Sequence, residues 1–144
     1  MDKTKSKYKA EKIVIDGIKF GSKAEGDYYI ELRDSKKAGR IADFELQPKF
    51  TLQEKFKHRT EGNIRAIVYI ADFRVIPNDR DEYIVDVKGT ASPSALIKRK
   101  MFLKFFPYHD LFWVVKSKKH SKNGWIDYFE LQKIRKANKK LKGK

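Results

Sequence analysis

The stretch that decides the fold is IRAIVYIADFRVIPNDRDEYIVDVKG, residues 64–89. Apolar and polar residues alternate in both of its halves, a pattern typical of half-buried β-strands. The first half is predicted to place one set of residues on a single face: Ile67, Tyr69, Ala71, Phe73 and Val75. The polar segment 77–81 between the halves is rich in turn-forming residues. The stretch therefore predicts an antiparallel hairpin.

Two acidic residues are predicted to face each other in this hairpin. If the hairpin is symmetric about Asp79, Asp72 lies directly opposite Asp86, with Cβ atoms ~4.5–5.5 Å apart. Adjacent carboxylates repel each other unless a positive charge lies between them, and hard divalent cations take oxygen ligands. Because Lys88 shares the face of Asp86, we expect these residues to form a metal site of the kind that nucleases use. The alternative is an exposed outer face on which Arg74 pairs with both acids.

The composition favours a single domain that binds a polyanion. At 144 residues the chain is long enough for one core and too short for two. Its 34 Lys and Arg residues outnumber 19 Asp and Glu residues, and the formal charge of +15 is typical of nucleic-acid-binding proteins. Contacts between these cations and phosphates would add affinity without sequence specificity. The alternative is a basic surface that serves solubility alone.

Several other classes of protein are disfavoured. The chain has no Cys, which excludes disulfides, thiolate zinc sites and cysteine nucleophiles. No apolar run approaches the ~20 residues of a membrane span, and the lysine-rich start lacks the apolar core of a signal peptide. We therefore expect a soluble cytoplasmic protein with no membrane partner.

The remaining pattern predicts helices on both sides of the hairpin in the chain. The segment Ser22–Glu25 (SKAE) is a capping box that begins a helix, and Gly39 ends this helix. Residues 41–53 alternate but contain Pro48, which predicts a strand that is broken or bulged at the proline. The other predicted elements are strands at 12–16 and 18–20, a polar loop at 54–63, a basic helix at 94–106, a buried strand at 110–116, a short strand or helix start at 125–129 and a helix at 131–141.

Together these elements predict an α/β fold, a single domain with a mixed central sheet flanked by helices. We divide the chain into a flexible basic arm at 1–11, a nuclease-like domain at 12–131 and a basic C-terminal helix or tail at 132–144. No repeat and no internal linker interrupts this organisation.

A third acid is expected from the first helix. Glu25 lies in its first turn, where the carboxylate can project toward the sheet. The alternative is that Glu25 is only the partner of Ser22 in the capping box. Asp27 and Glu31 are the competing acids in the same helix.

The motifs that carry these acids resemble those of the PD-(D/E)XK nuclease superfamily. The resemblance rests on Ile-Ala-Asp72-Phe, on Val-Asp86-Val-Lys88-Gly and on the preceding helix with Glu25. More narrowly, FGSKAEGDYYIEL, ELQPKFTL, YIADFRV and VDVKG resemble small phage-encoded proteins assigned as endonucleases, over roughly residues 8–107. The same superfamily holds the Holliday-junction resolvases. In this chain Ala71 stands where the superfamily is named for a proline, and Asp86 is shorter by one methylene than the commoner glutamate.

The resemblance implies a restriction-endonuclease-like αβββαβ core and a metal-dependent DNA endonuclease. Glu25, Asp72, Asp86 and the Val87 backbone carbonyl would hold Mg²⁺ or Mn²⁺, and Lys88 would orient the attacking water. Further site residues are proposed for DNA phosphates and for support of the site, respectively Lys98 and Lys100, and Ser22 and Gln47.

A homodimer is expected because two strands of a branched DNA must be cut and one small domain offers one site. The cytoplasm of a phage-infected or prophage-carrying bacterium is the expected location. The alternative function is a non-catalytic nucleic-acid-binding or regulatory module that retains the nuclease fold.

Overall fold

The central hairpin lies in the middle of a five-stranded sheet in the computed structural model, which describes residues 12–143. The helices of this part of the chain are α1 (Lys23–Lys37), α2 (Pro93–Phe105) and α3 (Tyr128–Lys142). Its strands are β1 (Ile13–Ile15), β2 (Ile18–Phe20), β3 (Ile41–Leu46), β4 (Lys49–Gln53), β5 (Phe56–His58), β6 (Gly62–Ile64), β7 (Ile67–Ile70), β8 (Phe73–Pro77), β9 (Tyr83–Val87), β10 (Asp110–Lys116) and β11 (Trp125–Asp127). The arm predicted at 1–11 lies outside the described residues.

The main sheet is mixed. Its strand order is β11-β10-β9-β8-β3, in which β9 and β10 are parallel and all other neighbours are antiparallel. Helix α2 provides the crossover that a parallel pair requires. In chain order, α1, β3, β8, β9, α2 and β10 form the expected αβββαβ arrangement. The prediction of a single α/β domain with a mixed central sheet flanked by helices is confirmed.

Helices cover the sheet on two faces. On one face α1 packs Tyr29 and Leu32 against Phe73 and Val85. On the other face the α2 residue Phe102 packs against Ile84. Helix α3 covers the same face further along the sheet, where Leu131 contacts Trp113. The hairpin is therefore buried on both sides.

The register of the hairpin is confirmed. Strands β8 and β9 pair Phe73 with Val85 and Val75 with Tyr83, which is symmetric about Asp79. Continued by one residue pair, this register places Asp72 opposite Asp86.

The predicted continuous strand, by contrast, is broken between β7 and β8. Tyr69 and Ala71 pack with the α2 residue Phe102, whereas Phe73 and Val75 belong to the cluster under α1. The expectation that these residues share one face is therefore wrong. The strand exchanges its two faces at Asp72. The alternation of apolar residues nevertheless continues past this position, because both faces of the hairpin are buried.

The partner segment breaks at the same level, as Pro48 predicted. Gln47 adopts a left-handed backbone with φ of 51° between β3 and β4. The Gln47 N–H donates to the Asp72 carbonyl at 2.9 Å, and the Ala71 N–H donates to the Pro48 carbonyl at 3.0 Å. These two hydrogen bonds continue the strand pairing across the break. Beyond it, β4 and β7 pair with each other in a separate sheet of two strands.

The predicted loop at 54–63 is wrong, because a further hairpin forms there. Strands β5 and β6 pair Phe56 with Ile64 and His58 with Gly62. Gly62 closes the turn with φ of 77°, a conformation that glycine adopts without steric cost. The side chains of β5 are all exposed, so the segment lacks the apolar alternation by which strands are recognised.

The helix boundaries follow the predicted caps, with one shift. Ser22 caps α1 and Gly39 follows its end with φ of 75°. Helix α3 begins at Tyr128, earlier than predicted, because the Asp127 carboxylate accepts the N–H groups of the next turn. The division proposed between residues 131 and 132 falls inside this helix. Across residues 12–143, none of the helices has the length and apolarity needed to cross a membrane.

Candidate active site

Where the hairpin breaks, two aspartate carboxylates accept the hydrogen bonds that main-chain carbonyls accept in a regular pair of strands. The Asp72 N–H donates to Asp86 Oδ1 at 2.9 Å, and the Val87 N–H donates to Asp72 Oδ2 at 2.8 Å. Each aspartate side chain therefore accepts a hydrogen bond from the main chain of the other segment. The Val87 N–H group thus contacts Asp72, and the metal-ligand role predicted for the Val87 carbonyl stays a prediction.

Asp86 is buried at the α2 face of the sheet. It is 3% exposed and is the buried charged residue of the described part of the chain. The Tyr69 hydroxyl donates to Asp86 Oδ2, and Trp113 Nε1–H donates to Tyr69 Oη at 2.9 Å. Burial and the Asp86 charge raise the pKa of Tyr69 well above its ordinary value, which keeps its hydroxyl a donor. Lys88 Nζ lies 3.5 Å from Asp86 Oδ2.

The alternative of an exposed face on which Arg74 pairs with both aspartates is wrong. The Arg74 guanidinium pairs instead with Glu45 at 3.1 Å and with Glu82 at 2.5 Å. The register explains this choice, because Glu45 lies directly opposite Arg74 on β3. Asp72 and Asp86 are therefore free of Arg74 and make the hydrogen bonds described above. Asp86 also contacts Lys88.

Asp72 meets Glu25 on the side of the break that α1 covers. Glu25 and Asp72 line the same cavity, and burial together with the neighbouring Glu25 and Asp86 carboxylates raises the pKa of Asp72 from 3.8 to about 9. Asp72 therefore has Asp86 and Glu25 as its acidic neighbours, and the shared role in metal binding predicted for the three stays a prediction.

Glu25 also has a capping role, in a form that differs from the predicted box. Ser22 Oγ accepts the Glu25 N–H at 3.1 Å, as in a capping box, but Glu25 Oε2 accepts the Gly21 N–H at 2.8 Å. The competing acids of α1 are engaged elsewhere: Asp27 pairs with Lys116, and Glu31 accepts the Trp125 indole N–H. Among the acids proposed in α1, Glu25 is the one that reaches the aspartates.

Two small cavities flank the break. A cavity of about 220 Å³ is lined by Asp86, Lys88, Lys98, Tyr69 and Trp113, among others. Lys88 Nζ lies 4.6 Å from the centroid of the Trp113 ring, a cation–π contact that holds the ammonium over this cavity. A second cavity of about 100 Å³ is lined by residues that include Glu25, Asp72, Gln47 and Lys19.

The structure separates the two lysines proposed to contact DNA. Lys98 lines the same cavity as Asp86 and Lys88. Lys100 is exposed and is not among the lining residues, because positions two apart on an α-helix point in nearly opposite directions. Gln47, proposed as a supporting residue, binds Asp72 through its main chain and lines the second cavity.

The donor set suits a hard divalent cation. Glu25, Asp72 and Asp86 offer only oxygen atoms, which Mg²⁺ and Mn²⁺ prefer. Within residues 12–143, however, no three Asp, Glu, His or Cys side chains stand in an arrangement ready to hold a metal ion. Burial and the two neighbouring carboxylates raise the pKa of Asp72, so the ionised form of this side chain is costly in the folded protein. A cation among these carboxylates would supply a compensating positive charge.

We predict that Asp72→Asn stabilises the metal-free protein. The pKa of the Asp72 carboxyl is higher in the folded state than its ordinary value, so its contribution to stability is complete at pH below 3.8 and is lost as the pH rises toward 9. The amide lacks this titration, and in EDTA at pH 8 it should raise the free energy of unfolding by about 1–2 kcal/mol, or roughly 3–7 °C in melting temperature. Melting curves of both proteins from pH 5 to pH 9 measure the effect. Parallel pH profiles of the wild type and the variant would contradict the prediction, and Asp79→Asn in the exposed turn is the control.

We predict that Tyr69→Phe destabilises the protein although it changes little volume. Removal of the hydroxyl leaves the Trp113 indole N–H without its acceptor and removes the hydrogen bond that Tyr69 donates to Asp86 Oδ2. Buried groups left without a partner cost about 1–3 kcal/mol in the free energy of unfolding. Denaturant unfolding measures this cost, and Tyr108→Phe is the matched control because Tyr108 is 94% exposed. Equal stability of the two variants would show that the hydroxyl has no structural role.

The sequence did not identify Tyr69 and Trp113 as site residues. Both are apolar in pattern, and Trp113 was expected in the core, where it lies at 1% exposure. Their relation to Asp86 arises from the pairing of Trp113 with Asp86 between parallel strands and from the chain reversal after Tyr69. The signal available in the sequence is that both side chains combine an apolar body with a hydrogen-bonding group, which needs a partner when buried.

Comparison with known proteins gives one match. No curated protein and no solved structure shows significant similarity to the chain. A family model described as Protein of unknown function (DUF1064) matches residues 5–122. Because this match spans well over half of the sequence, the chain belongs to the DUF1064 family.

Proposed function

We propose that the protein is a Mg²⁺- or Mn²⁺-dependent DNA endonuclease of the PD-(D/E)XK type. The observation that carries the proposal is the junction of Glu25, Asp72, Asp86 and Lys88 at one break in a buried hairpin. Charges are costly to bury, and their concentration in an otherwise apolar hairpin is typical of a functional site. The formal charge of +15 supports a polyanionic substrate.

Glu25, Asp72 and Asp86 would hold the metal, with the Val87 peptide beside them. When bound, the metal would polarise the scissile phosphate and lower the pKa of a bound water. The chain keeps these ligands in position through the main-chain N–H groups of Asp72 and Val87. Tyr69 fixes the second oxygen of Asp86 and thereby sets the orientation of its carboxylate.

Lys88 would orient the attacking water and stabilise the charge that develops on the phosphate. Its ammonium is held between the Asp86 carboxylate and the face of the Trp113 ring. Lys98 lies across the same cavity, where it would contact a neighbouring phosphate of the strand. Lys88 would thus act in the cleavage step, and Lys98 would act in DNA binding.

The setting that we propose is phage DNA metabolism in the bacterial cytoplasm. A branched DNA such as a four-way junction is the proposed substrate, and it requires two cuts. One chain offers one such site, so the active form would be a homodimer. Lys100 is proposed to contact DNA outside the cavity.

A cleavage assay tests the proposal directly. Plasmid, single-stranded and four-way-junction DNA are incubated with the protein and Mg²⁺, Mn²⁺ or EDTA. We expect phosphodiester cleavage with either metal and none with EDTA. If no substrate is cut with either metal, the enzymatic proposal fails.

A second candidate is a DNA-binding or regulatory module that retains the nuclease fold. It is favoured by the main-chain hydrogen bonds of Asp72 and Asp86, which give both carboxylates a structural role that needs no metal. This candidate predicts DNA binding that is equal in EDTA and in Mg²⁺, without cleavage. The same set of assays therefore separates the two functions.

A further inference from the structure

Strands β5 and β6 form a ribbon, defined here as residues 54–65, that extends from the break in the central hairpin. In the described hydrogen-bonded sheets, β5 and β6 pair only with each other. They follow directly on the β4–β7 pair, which begins at the Gln47–Asp72 bond. The ribbon is thus anchored to the same strand segments that present Asp72.

The two faces of the ribbon differ in chemistry. Alternation places Lys57 and Asn63 opposite each other on one face, and Phe56 and Ile64 on the other. Lys55 and Arg65 flank the strands at the base of the ribbon. The structure has a concave surface of about 380 Å³ here, lined by Lys55, Phe56, Lys57, Asn63, Ile64 and Arg65.

The cations of the ribbon are available to a ligand. Lys55, Lys57 and Arg65 are exposed, and within residues 12–143 none of them makes an ion pair. Other cations near the hairpin are neutralised: Arg74 by two glutamates and Lys36 by Asp43. An exposed cationic ribbon with an amide side chain between the charges is suited to phosphates on both sides of a groove and to base edges within it.

We propose that the β5–β6 ribbon binds in the major groove of duplex DNA beside the break in the central hairpin. The major groove of B-form DNA is about 12 Å wide and admits a two-stranded ribbon, whereas the deep major groove of an RNA duplex does not. Lys55, Lys57 and Arg65 contact phosphates, and Asn63 faces the base edges. The inference rests on the proposed function only in taking DNA as the ligand.

The length of the ribbon fixes where this contact falls. Ile64 precedes Asp72 by eight residues, which span at most about 27 Å when extended. One turn of B-form DNA is about 34 Å long. The groove contact therefore lies within one helical turn of the phosphate at the candidate active site.

The test is DNA binding in EDTA, which requires neither metal nor cleavage. A duplex of about 30 base pairs is titrated at several salt concentrations with the wild type and with Lys55→Ala/Lys57→Ala/Arg65→Ala. We expect roughly tenfold weaker binding or more, and a decrease in the salt slope of about 2–3, because each phosphate contact contributes about 0.9. The charge-preserving Lys55→Arg/Lys57→Arg/Arg65→Lys variant should restore binding, which separates lost contacts from lost folding.

The matched control removes the same charge at the other end of the sheet. Lys37, Arg40 and Arg80 are exposed near the turn between β8 and β9, where Asn78 bonds the Gly39 carbonyl. Their triple alanine variant should weaken binding less than about threefold. Equal losses in the two triple variants, or no loss in the ribbon variant, would overturn the proposal.

An RNA duplex of the same sequence tests the groove. The wild type should prefer the DNA duplex, and the ribbon variant should lose that preference. If the variant loses affinity equally for DNA and RNA, the ribbon contacts charge alone and the groove assignment is wrong. If the ribbon variant binds DNA more weakly but the wild type cuts no substrate, this inference holds and the nuclease proposal fails. If the wild type cuts DNA but the ribbon variant binds it as well as the wild type does, the nuclease proposal holds and this inference fails.

Discussion

Replacement of Asp86 by alanine is expected to lower the cleavage rate by roughly 10³-fold or more. Asp86 is buried and central to the site: it accepts hydrogen bonds from Tyr69 and from the Asp72 main chain, and it lies 3.5 Å from the Lys88 ammonium. Its loss would remove a proposed metal ligand and the partner of Lys88 together. The initial rate of junction or plasmid cleavage in Mg²⁺ and Mn²⁺ is the measurement.

Two companion variants make the Asp86 result interpretable. Asp86→Asn keeps an oxygen that can accept the Asp72 N–H, so the sheet is preserved while the carboxylate charge is lost. Asp79→Ala removes an exposed acid from the turn of the same hairpin and should leave the rate unchanged. Wild-type rates in both Asp86 variants would exclude Asp86 from the chemistry and leave it a structural residue.

Lys88→Ala is expected to reduce cleavage by roughly 10²–10³-fold while the dissociation constant for DNA changes by less than about threefold. The Lys88 side chain is held over the Trp113 ring, beside Asp86 and away from the exposed lysines of the surface. Its charge is therefore placed for the reacting phosphate and contributes little to the binding of the rest of the strand. Single-turnover cleavage and DNA titration in EDTA measure the two effects separately.

Lys98→Ala provides the contrast to Lys88→Ala. Lys98 lines the same cavity from α2. Its loss should therefore weaken DNA binding and reduce the salt dependence of that binding, with a smaller effect on the cleavage rate of the bound complex. If Lys88→Ala weakens binding as much as it slows cleavage, Lys88 is a phosphate contact and the division of roles between the two lysines is incorrect.

Much of the fold followed from local patterns. The turn at 77–81 fixed the hairpin register, and that register alone placed Asp72 opposite Asp86. The caps at Ser22 and Gly39 located α1 closely. Pro48 marked the break in the neighbouring segment because proline cannot donate to a ladder. In each case a single residue type has a direct steric or hydrogen-bonding consequence.

The missed features depend on contacts between distant segments. The change of face at Asp72 is invisible in the sequence because Tyr69 and Phe73 are both buried, one under α2 and the other under α1. Trp113 enters the site through parallel pairing with β9, which only the α2 crossover establishes. The β5–β6 hairpin was missed for the opposite reason: the β5 residues are all exposed and none of the β6 residues is fully buried, so no clear apolar period marks the segment.

The two main-chain bonds that join the ribbon to the hairpin have an evolutionary consequence. The β5–β6 ribbon beyond the β4–β7 pair can lengthen or shorten without displacing the acids, provided that residues are gained or lost in matched pairs on both strands. Each matched set of two residues per strand would extend the ribbon by about 6.7 Å, while a single insertion would reverse its faces. Relatives can therefore vary the reach of this ribbon while the geometry of the candidate site stays the same.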